Sequence, residues 1–394
     1  MQGDGESVGL SIPRFADLEP QLHRAAVEAT GLEDFGDPSY LTGLRVLLGA
    51  FDTDPRLTEA GRQFAYGSVL GTLTARLHAQ HGWSQHRETL KQRIRKPLVI
   101  TGIPRTGTTA LHKLLSMDPQ FQGLERWLTE TPMIRPPRES WQTLPAFRAT
   151  VANLDAFFAA MPEMRKAHDM VADEPDECLE VLRQSFVSNR FSSSAYLPSY
   201  DQWFFRQSEL DSYRRYVDVL RLIGGAEPNK RWLLKNPGHI AQIDALFEVL
   251  PDACVIQTHR DPVQAIPSLC STLYMARRMF EGEATRPDII GPRECSYWHQ
   301  ALARTDQARR SREKQFFDVD HRDFTADPMG TVKRIYDQFD LELSAAAHER
   351  MQGWIAQRPT SKHGEHRYRL EDFGIAAQDV CDEFATYRSH HRFV

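Results

Sequence analysis

The chain has 394 residues, 41% of them hydrophobic and 26% charged, with a formal net charge of −5; this is ordinary globular composition without the global basic field of nucleic-acid binders, so DNA and RNA are not expected partners. The five cysteines, Cys178, Cys254, Cys270, Cys295 and Cys381, are odd in number and lack CxxC spacing, which argues against a disulfide framework and a zinc cluster and reads as reduced thiols. The polar, acidic start Met1-Gln2-Gly3-Asp4-Gly5-Glu6 has no signal-peptide pattern and no stretch reaches the length of a membrane span, so the expected location is the cytoplasm.

Residues 1–95 read as helical, because apolar residues recur at helical spacing, first Leu18, Leu22, Ala25 and Ala26, then Leu41, Leu44, Val46, Leu47 and Leu48. This predicts an N-terminal helical extension packed on the core of a unit of residues 96–394. At Lys96-Pro97 the pattern changes. Leu98-Val99-Ile100-Thr101 is a short β-type run ending in a glycine-rich turn, and Leu111, Leu114 and Leu115 then mark one face of a helix.

Residues of about 140–225 look helical and aromatic-rich, and are expected to form an insertion on the acceptor side. Strand and helix return with Arg231–Leu234 followed by the stripe Ile240, Ile243, Leu246, Phe247 and Leu250. Ala253–Thr258 and Phe316–Val319 are two more strands. Short apolar strands alternating with helices predict an α/β fold, a parallel sheet flanked by helices and resembling that of P-loop proteins.

Between strand and helix, Gly102-Ile103-Pro104-Arg105-Thr106-Gly107-Thr108-Thr109 is a natural anion site, where unpaired N–H groups and the helix dipole point at the ligand. The spacing is that of the nucleotide-binding motif G-x-x-x-x-G-K-S/T, with Thr108 in place of the lysine. Losing that lysine counts against phosphoryl transfer. Arg105 with two consecutive hydroxyls suits a phosphosulfate, which can be neutralised without metal. The alternative is a strand-to-helix turn without a ligand. Further on, Thr258-His259-Arg260-Asp261-Pro262 follows a strand, and Ser268 lies about two turns into the helix that Pro262 opens. Arg260 and Ser268 can grip one phosphate from two sides; the plain alternative is a surface turn.

Together these motifs resemble the family of sulfotransferases dependent on 3'-phosphoadenosine 5'-phosphosulfate (PAPS). In that family a loop of the pattern Pro104-Arg105-Thr106-Gly107-Thr108-Thr109 binds the 5'-phosphosulfate, and an arginine and a serine spaced like Arg260 and Ser268 bind the 3'-phosphate. Leu234-Lys235-Asn236-Pro237 is similar to the family's lysine-bearing strand end. Ser361–Tyr368 is similar to its basic loop, residues 355–375 here, that closes over the nucleotide with Lys362, Gly364, His366 and Tyr368. The resemblance covers residues of about 97–375 and is greatest to the bacterial-type branch with a long helical N-terminus. His321 stands where the family pattern has a tyrosine, so no adenine contact is assigned at that position.

The resemblance implies PAPS as co-substrate, adenosine 3',5'-bisphosphate as product, no metal, and a small hydroxylated acceptor; homo-oligomerisation is left open. Sulfuryl transfer needs a base for the acceptor hydroxyl and positive charge at the leaving phosphate oxygen. Arg105 and Lys235 are expected to supply the charge. His168, which precedes the carboxylates Asp173, Glu174, Asp176 and Glu177, is the first candidate base, Glu130 its rival and His239 the third. The plain reading of His168 is a surface histidine. Phe157, Phe158, Met161, Met164, Met170, Tyr196, Tyr200, Trp203, Phe204 and Phe205 offer surface for an apolar alcohol or phenol, although most are expected to be core, and Trp203-Phe204-Phe205 cannot all face one way. A nucleotide kinase-like enzyme and a non-catalytic nucleotide-binding protein are the alternative functions.

Overall fold

The computed structural model describes residues 12–167, 170–357 and 369–393. Five parallel strands form one sheet: β1 (Leu98–Gly102), β2 (Phe121–Gln122), β3 (Arg231–Lys235), β4 (Cys254–His259) and β5 (Phe316–Asp320), in the spatial order β2-β3-β1-β4-β5. Four of these are the expected runs, with β4 displaced by one residue. The two-residue β2 was not anticipated, since it has no apolar run and exists by pairing with Arg231 and Trp232.

Parallel strands need a crossover between each pair, and helices supplied by those crossovers cover both faces. Alternating side chains divide accordingly. Val99, Leu234 and Val255 pack with Tyr216 and Leu220 on one face, while Ile100, Leu233 and Ile256 pack with Leu111, Leu115 and Ile335 on the other. The N-terminal helices Glu19–Thr30, Tyr40–Thr53 and Glu59–Gln85 share a third apolar cluster with Ile240, Ala265 and Ile266. Arg76, buried in the longest of them, donates to the carbonyls of Phe35, Asp37 and Gln184 at 2.7, 2.7 and 3.2 Å. Three backbone acceptors satisfy one buried guanidinium and tie that helix to Gln184 in the 140–225 segment.

The register brings the strand ends together. Gly102 pairs with Thr258 and Ile100 with Lys235, so the turns after β1, β3 and β4 emerge side by side at the carboxyl edge, where open α/β sheets bind ligands. The turn after β1 is tightly constrained. Gly102 has φ 139°, and a Cβ there would lie 2.4 Å from the Thr258 carbonyl oxygen. Among the described residues no helix is long and apolar enough to cross a membrane.

Gly102→Ala combines disfavoured φ with that contact, and is expected to lower stability by about 1–3 kcal/mol, measured as a shift of the urea unfolding midpoint. An unchanged midpoint would show that β1 and β4 separate without cost.

Candidate active site

The loop after β1 is braced from within. Thr106 is buried, its hydroxyl donating to the Ile103 carbonyl at 2.6 Å and lying 2.6 Å from the Thr258 hydroxyl, which reaches the Thr101 carbonyl at 3.2 Å. Arg105 and Gly107 both have positive φ, 71° and 95°. A non-glycine residue in that conformation stores strain, of the kind found at ligand-holding turns. The helix Thr108–Leu115 starts directly afterwards, so its unpaired N–H groups face the cleft with the hydroxyls of Thr108 and Thr109.

Arg105, Ser268 and Arg260 converge. Arg105 Nε donates to Ser268 Oγ at 3.0 Å, and Arg260 Nη1 to the Arg105 carbonyl at 3.1 Å. Burial, followed by the charge of Arg105, lowers the Arg260 pKa. Asp261 turns away, caps the helix Pro262–Glu281 through the Val263 N–H and accepts from Arg388 at 3.0 Å. The C-terminal segment braces this turn from behind: Tyr387 bonds His259 at 2.9 Å, His391 stacks on the same ring at 3.9 Å, and Asp318 holds its other nitrogen at 2.8 Å. Two adjacent guanidiniums repel each other, a cost that a bound anion relieves.

His321 packs on the loop after β1, its ring carbon 3.2 Å from where a Gly107 Cβ would stand. Burial, then the charge of Arg260, lowers its pKa. Lys235, at the end of β3, is only 2% exposed; its Nζ donates to Glu177 Oε1 at 2.6 Å and lies 3.4 Å from Thr109 Oγ1. The adjoining His112 is held neutral with a pKa of about 3, by burial and then by Lys235.

From the loop a cleft of about 1500 Å³ runs between the N-terminal helices and the 140–225 segment. Arg105, Thr108, Thr109, Arg260 and His321 line one end; Phe157, Met164, Met170, Leu269, Met279 and Phe280 give the rest an apolar wall. Of the ten aromatic and thioether residues expected to offer acceptor surface, Phe157, Met164 and Met170 reach the cleft. Phe158, Tyr200 and Phe204 are core, whereas Tyr196 and Phe205 are exposed.

The candidate bases fare differently. His168 lies outside the described residues, as do Lys362, Gly364, His366 and Tyr368. Glu130 lines the cleft, but its oxygens accept from Arg126 at 3.0 Å and Thr150 at 2.8 Å. His239 is fully buried, bonded through Nδ1 to Tyr213 at 2.7 Å, and burial pushes its pKa down to about 3. Behind Glu130, Arg126 also pairs with Asp176 at 3.0 Å and Glu180 at 3.6 Å, and Arg190 meets Glu180 at 3.3 Å. Burial raises the Glu180 pKa, yet Arg183, Arg126 and Arg190 outweigh it and hold the group well below the carboxylate range.

Two features escaped the sequence reading. The Glu177–Lys235 pair left no local signal beyond a carboxylate cluster. Glu209, buried on the cleft wall, has its pKa raised to about 8 by desolvation, against smaller lowering by Gln242 and Arg304. Among the described residues no group of three or more His, Cys, Asp or Glu side chains is placed to hold a metal ion.

A model of the sulfotransferase family matches residues 97–345. The omega-hydroxy-beta-dihydromenaquinone-9 sulfotransferase Stf3 of Mycobacterium tuberculosis is 24% identical over 302 residues, covering 73% of this chain and 74% of that protein. The solved sulfotransferase STF1 of M. tuberculosis superposes with a TM-score of 0.84 at 38% identity, covering 95% of this chain and all of that one. STF9 of Mycobacterium avium superposes at 0.87 with 27% identity, covering 94% and 96%.

Glu209 also gives the fold a pH signature. The folded chain keeps its proton up to about pH 8, whereas the unfolded chain releases it near the ordinary value of 4.5. The folded state therefore binds more protons across that window, and stability falls as pH rises through it. Glu209→Gln is expected to reduce the difference in Tm between mildly acidic and mildly alkaline buffer, measured by calorimetry. An identical pH dependence in the variant would show that Glu209 ionises normally.

Proposed function

The chain belongs to the sulfotransferase family, and on that premise we propose that it transfers a sulfuryl group from PAPS to the hydroxyl of a small, apolar alcohol or phenol. The observation that carries the donor assignment is the meeting of Arg105, Ser268 and Arg260 beside the start of the helix Thr108–Leu115. This gives two neighbouring anion sites, one of helix N–H groups and threonine hydroxyls, the other of Arg260 and Ser268. A nucleotide with a 5'-phosphosulfate and a separate 3'-phosphate matches both. Thr106 and Gly107 shape the first site from within the loop. Lys362, Gly364, His366 and Tyr368 remain donor contacts by resemblance.

Arg105 and Lys235 supply positive charge where the departing phosphate oxygen becomes negative. The loop's lack of a lysine at Thr108 weighs against a kinase, and a second cationic group at Lys235 beside the loop favours transfer over nucleotide binding alone. The apolar cleft wall supports a hydrophobic acceptor. The acceptor named for the Mycobacterium relative, an omega-hydroxy dihydromenaquinone, is of that class. Residues 1–95 are assigned as a helical extension of the unit formed by residues 96–394.

Titration calorimetry without metal tests the donor. Adenosine 3',5'-bisphosphate is expected to bind, and Arg260→Ala to weaken it by about 1.5–3 kcal/mol through loss of a charge-assisted contact. Tight binding of ATP with Mg²⁺ in its place, or unchanged affinity in the variant, would overturn the assignment. Radiolabelled transfer from PAPS into a cell extract then identifies the acceptor by its labelled product.

A further inference from the structure

We propose that Glu177 is the general base of the transfer, held by Lys235 in the resting enzyme and released when the donor takes that lysine. The proposal rests on the PAPS reading above and adds the group that activates the acceptor.

Glu177 is placed with little freedom. Its neighbours are pinned on both sides, Asp176 N–H donating to the Leu124 carbonyl at 2.8 Å and Cys178 N–H to the Lys235 carbonyl at 2.9 Å. The second of these ties the Glu177 backbone to the end of β3, so carboxylate and ammonium leave adjacent points of one rigid frame. The carboxylate reaches the cleft, whereas the lysine is almost wholly buried. The Lys235 ammonium thus lies beside Thr109 of the loop, and Glu177 lines the same cleft as Met170 and Leu179.

The other carboxylate considered for this work is differently placed. Both oxygens of Glu130 are already engaged by Arg126 and Thr150. Freeing the first takes a carboxylate out of the Arg126 charge cluster, and freeing the second leaves the buried Thr150 hydroxyl without its acceptor. Among the described residues Glu177 has a single cationic partner, Lys235, and that partner has an alternative use. A phosphosulfate on the loop places negative charge beside Thr109, within reach of a Lys235 ammonium that is already 3.4 Å from the Thr109 hydroxyl. Lysine is suited to such an exchange, being a point charge on a flexible stem.

In the transfer step the acceptor oxygen bonds to sulfur as the bond from sulfur to the bridging phosphate oxygen breaks. The electron pair of that bond stays on the phosphate, where Lys235 and Arg105 compensate it. The acceptor proton passes to a Glu177 oxygen and later to solvent. A carboxylate is too weak to ionise an alcohol beforehand, but takes the proton as the forming bond makes the hydroxyl acidic. Coupling release of the base to donor binding keeps the carboxylate occupied until there is sulfur to attack.

The test compares Glu177→Gln and Glu177→Asp with wild type and with His168→Ala, using labelled PAPS, dodecanol as acceptor and adenosine 3',5'-bisphosphate for binding. Glu177→Gln is expected to lower kcat on the order of 100- to 10,000-fold and to abolish the acid limb of its pH profile. Bisphosphate affinity should be kept or rise, because its 5'-phosphate no longer has to take Lys235 from a carboxylate, and Glu177→Asp should recover part of the rate with the acid limb restored. A Glu177→Gln enzyme with wild-type kcat overturns the proposal. So does a loss of bisphosphate binding that matches the loss of turnover, which would make Glu177 a strut for Lys235, or an acid limb that vanishes in His168→Ala while surviving in Glu177→Gln. The wild-type measurements keep the readings apart: wild-type binding and turnover test the donor assignment, whereas the ratio of variant to wild type tests Glu177.

Discussion

At the carboxyl ends of β1 and β4 two backbones approach so closely that no side chain fits at Gly102. This contact sets the position of everything that follows. Parallel pairing carries Gly102 alongside Thr258, the buried Thr106 hydroxyl bonds across to Thr258, and the chain then turns through positive φ at Arg105 and Gly107 to start its helix. The loop is thereby anchored to the strand that ends in His259 and Arg260. Were β1 and β4 held apart by one methyl group, Arg260 would no longer meet the Arg105 carbonyl, nor Arg105 the Ser268 hydroxyl. The local strain is offset by buried hydrogen bonds and by the apolar packing of both sheet faces.

The charge arrangement follows from this geometry. Like charges at Arg105 and Arg260 are brought together by the fold, and the one acidic residue in that motif, Asp261, is engaged by Arg388 and by the helix end it caps. The C-terminal segment thus acts at a distance on the donor side, since it removes a competing carboxylate and holds His259 between Tyr387 and Asp318. Lys235 arrives from the opposite side on β3. On the proposed reading, the positive charge that a phosphate-transferring loop carries on its own lysine comes here from a separate strand, where Lys235 also holds Glu177.

What the sequence disclosed was whatever is encoded within a few residues. β1, β3, β4 and β5 are short apolar runs followed by turns, and so were legible; β2 is two residues whose only reason to be a strand is the neighbouring strand. The donor loop and the pair Arg260 and Ser268 were visible because their spacing lies within single strand–helix units. The contact between them spans 163 residues and could be inferred only through resemblance. Trp203-Phe204-Phe205 divides as helical geometry requires, with Phe204 buried, Trp203 partly buried and Phe205 half exposed. The surroundings of Glu130, Glu209 and His239 are likewise assembled from distant segments, and no local pattern announces them.

The acceptor side combines an apolar wall with a cluster of buried charges, and the two have different tasks. Arg126, Arg183 and Arg190 face Glu130, Asp176 and Glu180, so the cluster can neutralise itself. Burying such a set costs desolvation that an apolar core would avoid, so stability alone does not account for it. Its geometric effect is to tie the helix Arg126–Glu130 to Leu179–Leu182 and Asn189–Ser194, fixing the segment on which Glu177 sits. Because these charges satisfy one another, they leave little attraction for an ionic acceptor. On the proposed reading, selection then falls to Phe157, Met164, Met170 and Phe280, whose aromatic and thioether surfaces favour an apolar body and leave its hydroxyl as the polar atom to be placed beside the carboxylate.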